Sequence, residues 1–151
     1  MPTPTLAGTQ KEAHRLLEEL IKLDYDAIEA YQAAIERLSD EEAQRQLGEF
    51  RDDHRRHTEN LGAHLREMHR TPPSGPDVKR VLTKGKVVIA SLRGDVAILK
   101  AMKSNEDDTN TVYERAVEQE TPAKLRDTIR NNLDDERRHR AWIEDKLGRM
   151  G

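Results

Sequence analysis

Glu136-Arg137-Arg138-His139 sets a carboxylate and an imidazole three residues apart, and His54-Arg55-Arg56-His57 sets two imidazoles at the same spacing. On a helix that spacing keeps both side chains on one face. Asp24 and Glu106 are two further acids that interrupt apolar runs. Three carboxylates and three imidazoles aimed at one point would be ligands for a borderline cation such as iron, manganese or zinc. A lone Glu-x-x-His pair is common by chance, so the reading depends on whether all six side chains meet.

What could bring them together is set by composition. Charged residues make up 36% of the 151 and hydrophobic ones 34%, with one Trp, one Phe and three Tyr, a mixture suited to helices and poor for sheets. Leu17, Leu20, Ile21, Asp24, Ile28, Tyr31, Ile35 and Leu38 recur at spacings of three and four, which predicts an amphipathic helix to about residue 38. Thr9 with Glu12 reads as its capping box, after a disordered tail over 1–9. Ser39 with Glu42 reads as the next cap, opening a stripe of Ala43, Leu47, Phe50, His54, His57, Leu61, Leu65 and Met68 that the prolines of 71–76 end. A short helix across about 77–91 leads to a break at Gly94, with Asp95 as N-cap. The third long helix carries Val96, Leu99, Met102, Glu106, Tyr113, Ala116 and Val117. After Thr121-Pro122, a cap and first turn, the fourth carries Leu125, Ile129, Glu136, His139, Ile143 and Leu147. The expectation is an all-α fold, a single domain over 10–149 built as a four-helix bundle. A crossover over 71–94, able to span ~35 Å if helical, joins the two hairpins.

The hairpins repeat. Adding 82 takes Leu17 to Leu99, Asp24 to Glu106, Tyr31 to Tyr113, Leu47 to Ile129, His57 to His139 and Leu61 to Ile143, so the copies are 10–70 and 95–149. In the phrase that ends in His57 and His139, Asp52-Asp53 and Arg55-Arg56 recur as Asp134-Asp135 and Arg137-Arg138, while His54 is replaced by Glu136. Asp24 and His54 each lie 15 residues from position 39, and Glu106 and Glu136 each 15 from position 121, which puts all four helices' polar residues at one depth. A buried carboxylate without a partner costs several kcal/mol, so such a layer calls for a cation. The arginine pairs read as solvated faces. His14, His64 and His69 have no carboxylate at matching depth, and His64 borders the core face.

The arrangement resembles the ferritin-like di-iron carboxylate proteins, bacterioferritin and rubrerythrin among them, in which two helices each give a Glu and two give Glu-x-x-His. Glu136…His139 matches that motif. Asp24…Tyr31 and Glu106…Tyr113 match the acid-to-tyrosine spacing of seven residues seen in those families. "DYDAIEAYQAA" and "NEDDTNTVYERA" also resemble small bacterial ferritin-like domains of unknown function, with all four helices covered. The resemblance implies two metal ions, iron with manganese or zinc as alternatives, held by Asp24, His54, His57, Glu106, Glu136 and His139. Tyr31 and Tyr113 read as hydrogen-bond donors to the ligands or as plain core, and Glu29, which flanks the stripe with Asp26, as a substitute ligand. Asp24 is shorter than the family's acid, and His54 stands where a bridging Glu would, leaving Glu136 as the one bridging carboxylate. Taken hairpin by hairpin, Glu106, Glu136 and His139 form a carboxylate-rich set expected to fill first, ahead of the two-histidine set Asp24, His54 and His57.

The expected role is iron oxidation or peroxide and oxygen handling under stress, a ferroxidase- or peroxidase-like oxidoreductase activity. The competing reading is a non-catalytic helical scaffold or partner-binding module with a degenerate or structural metal site. A net charge of −3 argues against nucleic acid and membrane as partners, and a homo-oligomer is compatible with the bundle. With no cysteine there is no thiolate chemistry. The N-terminal residues carry no basic and apolar signal pattern, so the cytoplasm is the expected location.

Overall fold

A computed structural model describes residues 6–75 and 86–150. Among these, five helices follow in order and no strand occurs: α1 (Leu6–Arg37), α2 (Glu41–Glu67), α3 (Lys86–Ala90), α4 (Asp95–Glu118) and α5 (Ala123–Met150). α1 packs on α2 and α4 on α5, and the two hairpins face each other through α1 against α4 and α2 against α5. This is the all-α four-helix bundle expected from the apolar stripes. The short α3 lies on α1 and sends Ile89 into the core. Of the crossover, 76–85 lie outside the described residues, and with them most of the short helix expected over 77–91.

Two apolar clusters fill the bundle, one at each end. Leu38, Leu47, Phe50, Ile98, Leu99, Met102 and Ile143 close the end that holds the α1–α2 turn. Leu17, Leu20, Ile21, Leu61, Leu65, Leu125 and Ile129 close the other. Each such side chain, once buried, contributes about 1.5–3 kcal/mol. Helices with apolar ends and polar middles therefore stack in only one register, with the polar positions of all four at the same level.

The helix ends differ in detail from the sequence reading. α1 already begins at Leu6, inside the stretch expected as a tail over 1–9, so Thr9 lies within the helix and not at its N-cap position. Asp40, and not Ser39, caps α2, accepting from the Ala43 N–H at 2.8 Å. Asp95 is the first residue of α4 and not its cap. Its two carboxylate oxygens accept from the N–H groups of Ser39 and Asp40 at 2.8 Å each, which ties the α1–α2 turn to the start of α4. Gly94 takes the cap position at φ 90, a conformation that favours glycine. Val96 is exposed, and Ile98 faces the core in its place. At α5 the Arg126 N–H donates to the Pro122 carbonyl, so Pro122 sits at the cap and the helix starts one residue later than expected. α2 ends at Glu67, ahead of the prolines. His69 turns left-handed there (φ 60), and the Arg70 N–H donates back to the Leu65 carbonyl.

Candidate metal centre

Between the two apolar clusters lies a polar layer. Asp24, His54, His57, Glu136 and His139 are 0% exposed and Glu106 1%, so water does not solvate these charges. Their atoms fall into two groups, Asp24, His54, His57 and Glu136 in one and His54, Glu106, Glu136 and His139 in the other, each with its ligand atoms within 4.8 Å of one another. Each group could hold a metal ion. Glu29 is half-buried and belongs to neither.

In the first group, Asp24 Oδ1 lies 2.7 Å from His54 Nδ1 and 3.2 Å from His57 Nδ1. Glu136 Oε1 lies 3.4 and 3.3 Å from the same two nitrogens. In the second, Glu106 Oε1 is 3.5 Å from His54 Nε2 and 3.4 Å from His139 Nδ1, and Glu136 Oε2 is 3.5 Å from His139 Nδ1. Donors about 2.0–2.1 Å from a small divalent cation sit roughly 3.3 Å apart in a tetrahedron, a spacing that all these pairs approach except Asp24 and His54, which are in direct hydrogen-bond contact. Both Glu136 oxygens, Glu106 Oε2, His54 Nε2 and His139 Nδ1 are buried and make no hydrogen bond. A buried polar atom without a partner costs about 1–3 kcal/mol, and five at one spot fit a cation that would satisfy them.

The electrostatics agree with this. Burial pushes the Glu136 carboxyl well above its ordinary range, and the charges of Glu106 and Asp24 push it further. Burial also opposes ionisation of Asp24 and Glu106, but adjacent imidazoles outweigh it and hold both below the usual carboxylate range. Burial alone would lower His54, but the hydrogen bond to Asp24 and the charges of Asp24 and Glu106 outweigh it and raise the imidazole to about 9. Without a cation, the layer is thus held together by protons.

Outer contacts cross between the hairpins in symmetric pairs. His57 Nε2 donates to Asp135 Oδ2 at 2.8 Å, and His139 Nε2 to Asp53 Oδ2 at 2.8 Å. Asp135 is held well below the carboxylate range, since bonds from His57 and Arg138 outweigh its partial burial. It accepts only, so the proton sits on Nε2 and the Nδ1 of each ring faces the layer. Arg56 reaches Asp135 at 2.5 Å and Arg138 reaches Asp53 at 2.7 Å. Tyr113 donates to Asp24 Oδ2 at 2.5 Å, and Tyr31 donates to Glu106. Asn110 Nδ2 donates to the backbone carbonyls of Glu106 and Glu136, pinning α4 to α5 at the ligand positions.

The six sequence candidates and both tyrosines therefore share one layer. Asp53, Asp135 and Asn110 escape the sequence reading, although the repeated Asp-x-x-Arg-His phrase carries a signal for the first two. The unequal compositions expected for the two metal positions do not describe the groups. Because His54 and Glu136 face each other across the hairpin interface, each group holds two carboxylates and two imidazoles.

No curated protein matches the chain. The structure superposes on a dodecameric thioferritin, the bacterioferritin-related protein from Bacteroides fragilis, with a TM-score of 0.74 and 16% identity over 93% of this chain and 86% of that one. The fold is accordingly ferritin-like. No helix among the described residues is long and apolar enough to cross a membrane. Residues 12–120, from α1 through α4, match a family profile, with Glu136 and His139 beyond the matched stretch, and the chain belongs to the family described as Domain of unknown function (DUF2383).

Proposed function

We propose that this protein holds two metal ions, iron in the first instance, between its hairpins and acts in the cytoplasm in iron oxidation or in handling peroxide or oxygen. The observation that carries the reading is the pair of overlapping four-residue groups sharing His54 and Glu136 in a layer closed to bulk solvent. Asp24 and His57 would hold one ion and Glu106 and His139 the other, with His54 and Glu136 common to both. Bound iron supplies electron-transfer chemistry toward oxygen or peroxide. The chain's own contribution is to fix and shield. Asp135 and Asp53 orient the two terminal imidazoles, and Tyr113 and Tyr31 each hold a proton on a ligand carboxylate. The apolar clusters on either side keep bulk water away. Self-association is part of the proposal and rests on the dodecamer named for the fold neighbour.

The test is ferrous iron added anaerobically, followed by a pulse of oxygen or peroxide. The protein should oxidise iron faster than buffer does, and the Glu136→Ala/His139→Ala variant should not. Oxidation no faster than in buffer, in protein that has taken up iron, would remove the redox role and favour a structural metal site.

A further inference from the structure

We propose that His54 spans the two metal positions, Nδ1 serving the first group and Nε2 the second, so that one imidazole ring and the Glu136 carboxylate bridge the centre together. The inference rests on the two-ion reading above and adds a bridging role that a histidine at this position would otherwise lack.

Among the described residues only His54 and Glu136 belong to both groups. They are equivalent positions of the repeat, since adding 82 to 54 gives 136. Each divides its atoms the same way. Glu136 turns Oε1 toward His54 and His57 and Oε2 toward His139. His54 turns Nδ1 toward Asp24 and Nε2 toward Glu106. The other two histidines of the layer cannot do this, because each commits Nε2 to an outer acid. His54 Nε2 has no hydrogen bond and points into the second group. Three carboxylates give −3 against the +4 of two divalent ions. A ring ligated through both nitrogens has released its two N–H protons to solvent and carries −1, which makes the ligand set −4 and neutralises the pair. The centre is thereby matched to two divalent ions.

The experiment uses the full chain with nitrogen-15 histidine, freed of metal and titrated with cadmium-113, read by heteronuclear NMR. One imidazole should show cadmium coupling on both ring nitrogens, each to a different cadmium resonance, while two others show it on Nδ1 alone. His54→Gln should remove the doubly coupled ring and strip one nitrogen coupling from each cadmium signal. If that variant does not fold, the ring is assigned through bonds from its own Cβ in the wild type. Two cadmium resonances with His54 coupled through one nitrogen or none would overturn the proposal and leave the two-ion reading standing. A single cadmium resonance, or none, would overturn that reading and this proposal with it.

Discussion

His57 of one hairpin donates its Nε2 proton to Asp135 of the other at 2.8 Å, and the symmetric contact from His139 to Asp53 has the same length. These bonds fix which nitrogen faces the layer, and orienting partners of this kind are typically worth 10–100-fold in metal affinity. Asp53→Asn with Asp135→Asn should therefore weaken metal binding by about that factor while the far-ultraviolet helical signal stays as in the wild type. Calorimetric titration of both proteins is the check, and equal affinities would make the contacts incidental.

Glu136 is the acid whose ionisation the metal-free layer resists most, through burial first and then the charges of Glu106 and Asp24. Glu136→Gln should thus raise the melting temperature of metal-free protein and reduce the further rise that added Fe(II) or Mn(II) produces by mass action. A variant less stable than the wild type without metal would show that the carboxylate is satisfied by the protein alone.

His54 gives the metal-free protein a pH dependence of defined sign. Its folded value, about 9, lies above the ordinary 6.5, so the stability it contributes is complete below about 6.5 and is lost as pH rises through about 9. His57 is shifted in the same direction: burial alone would lower it, and the charge of Asp24 outweighs that. Metal competes with these protons, so its binding strengthens over the same interval. The gap in melting temperature between metal-loaded and metal-free protein should widen from pH 6.5 to 9. Thermal scans across that window would contradict the account if the gap narrowed.

Tyr113 and Tyr31 each give a hydroxyl proton to a buried ligand carboxylate of the opposite hairpin. Replacing either by Phe leaves a carboxylate oxygen one donor short, at a cost of about 1–3 kcal/mol in metal-free protein. Urea unfolding should register that loss, while metal content per chain stays unchanged. A fall in metal content would make the tyrosines part of the binding set.

Much of this was legible because each of the six candidates replaces a Leu or Ile in an otherwise regular stripe, and the equal distances from the two turns put them at one level. The helix caps were less so. Ser39 and Asp40 both offer a capping oxygen, and only the distant Asp95, which takes both their N–H groups, fixes the turn that leaves Asp40 to cap. Asp53 and Asp135 sit on the flank of the stripe among arginines, where a solvated face and an orienting acid look alike in sequence. Helix periodicity tells which face a histidine occupies and not where its ring nitrogens point, so His54 reads as a lost bridge until its two neighbours are seen.

The polar layer should bind two ions. Anaerobic calorimetric titration of untagged, metal-free protein with Fe(II), paired with metal analysis of the product, measures it directly. The expected stoichiometry is two per chain, reduced to one or none in Glu136→Ala/His139→Ala protein of unchanged helicity. No heat and no retained iron would contradict it, as would a single tightly held zinc that iron cannot displace, leaving a bundle whose buried acids and imidazoles serve only each other or one structural ion.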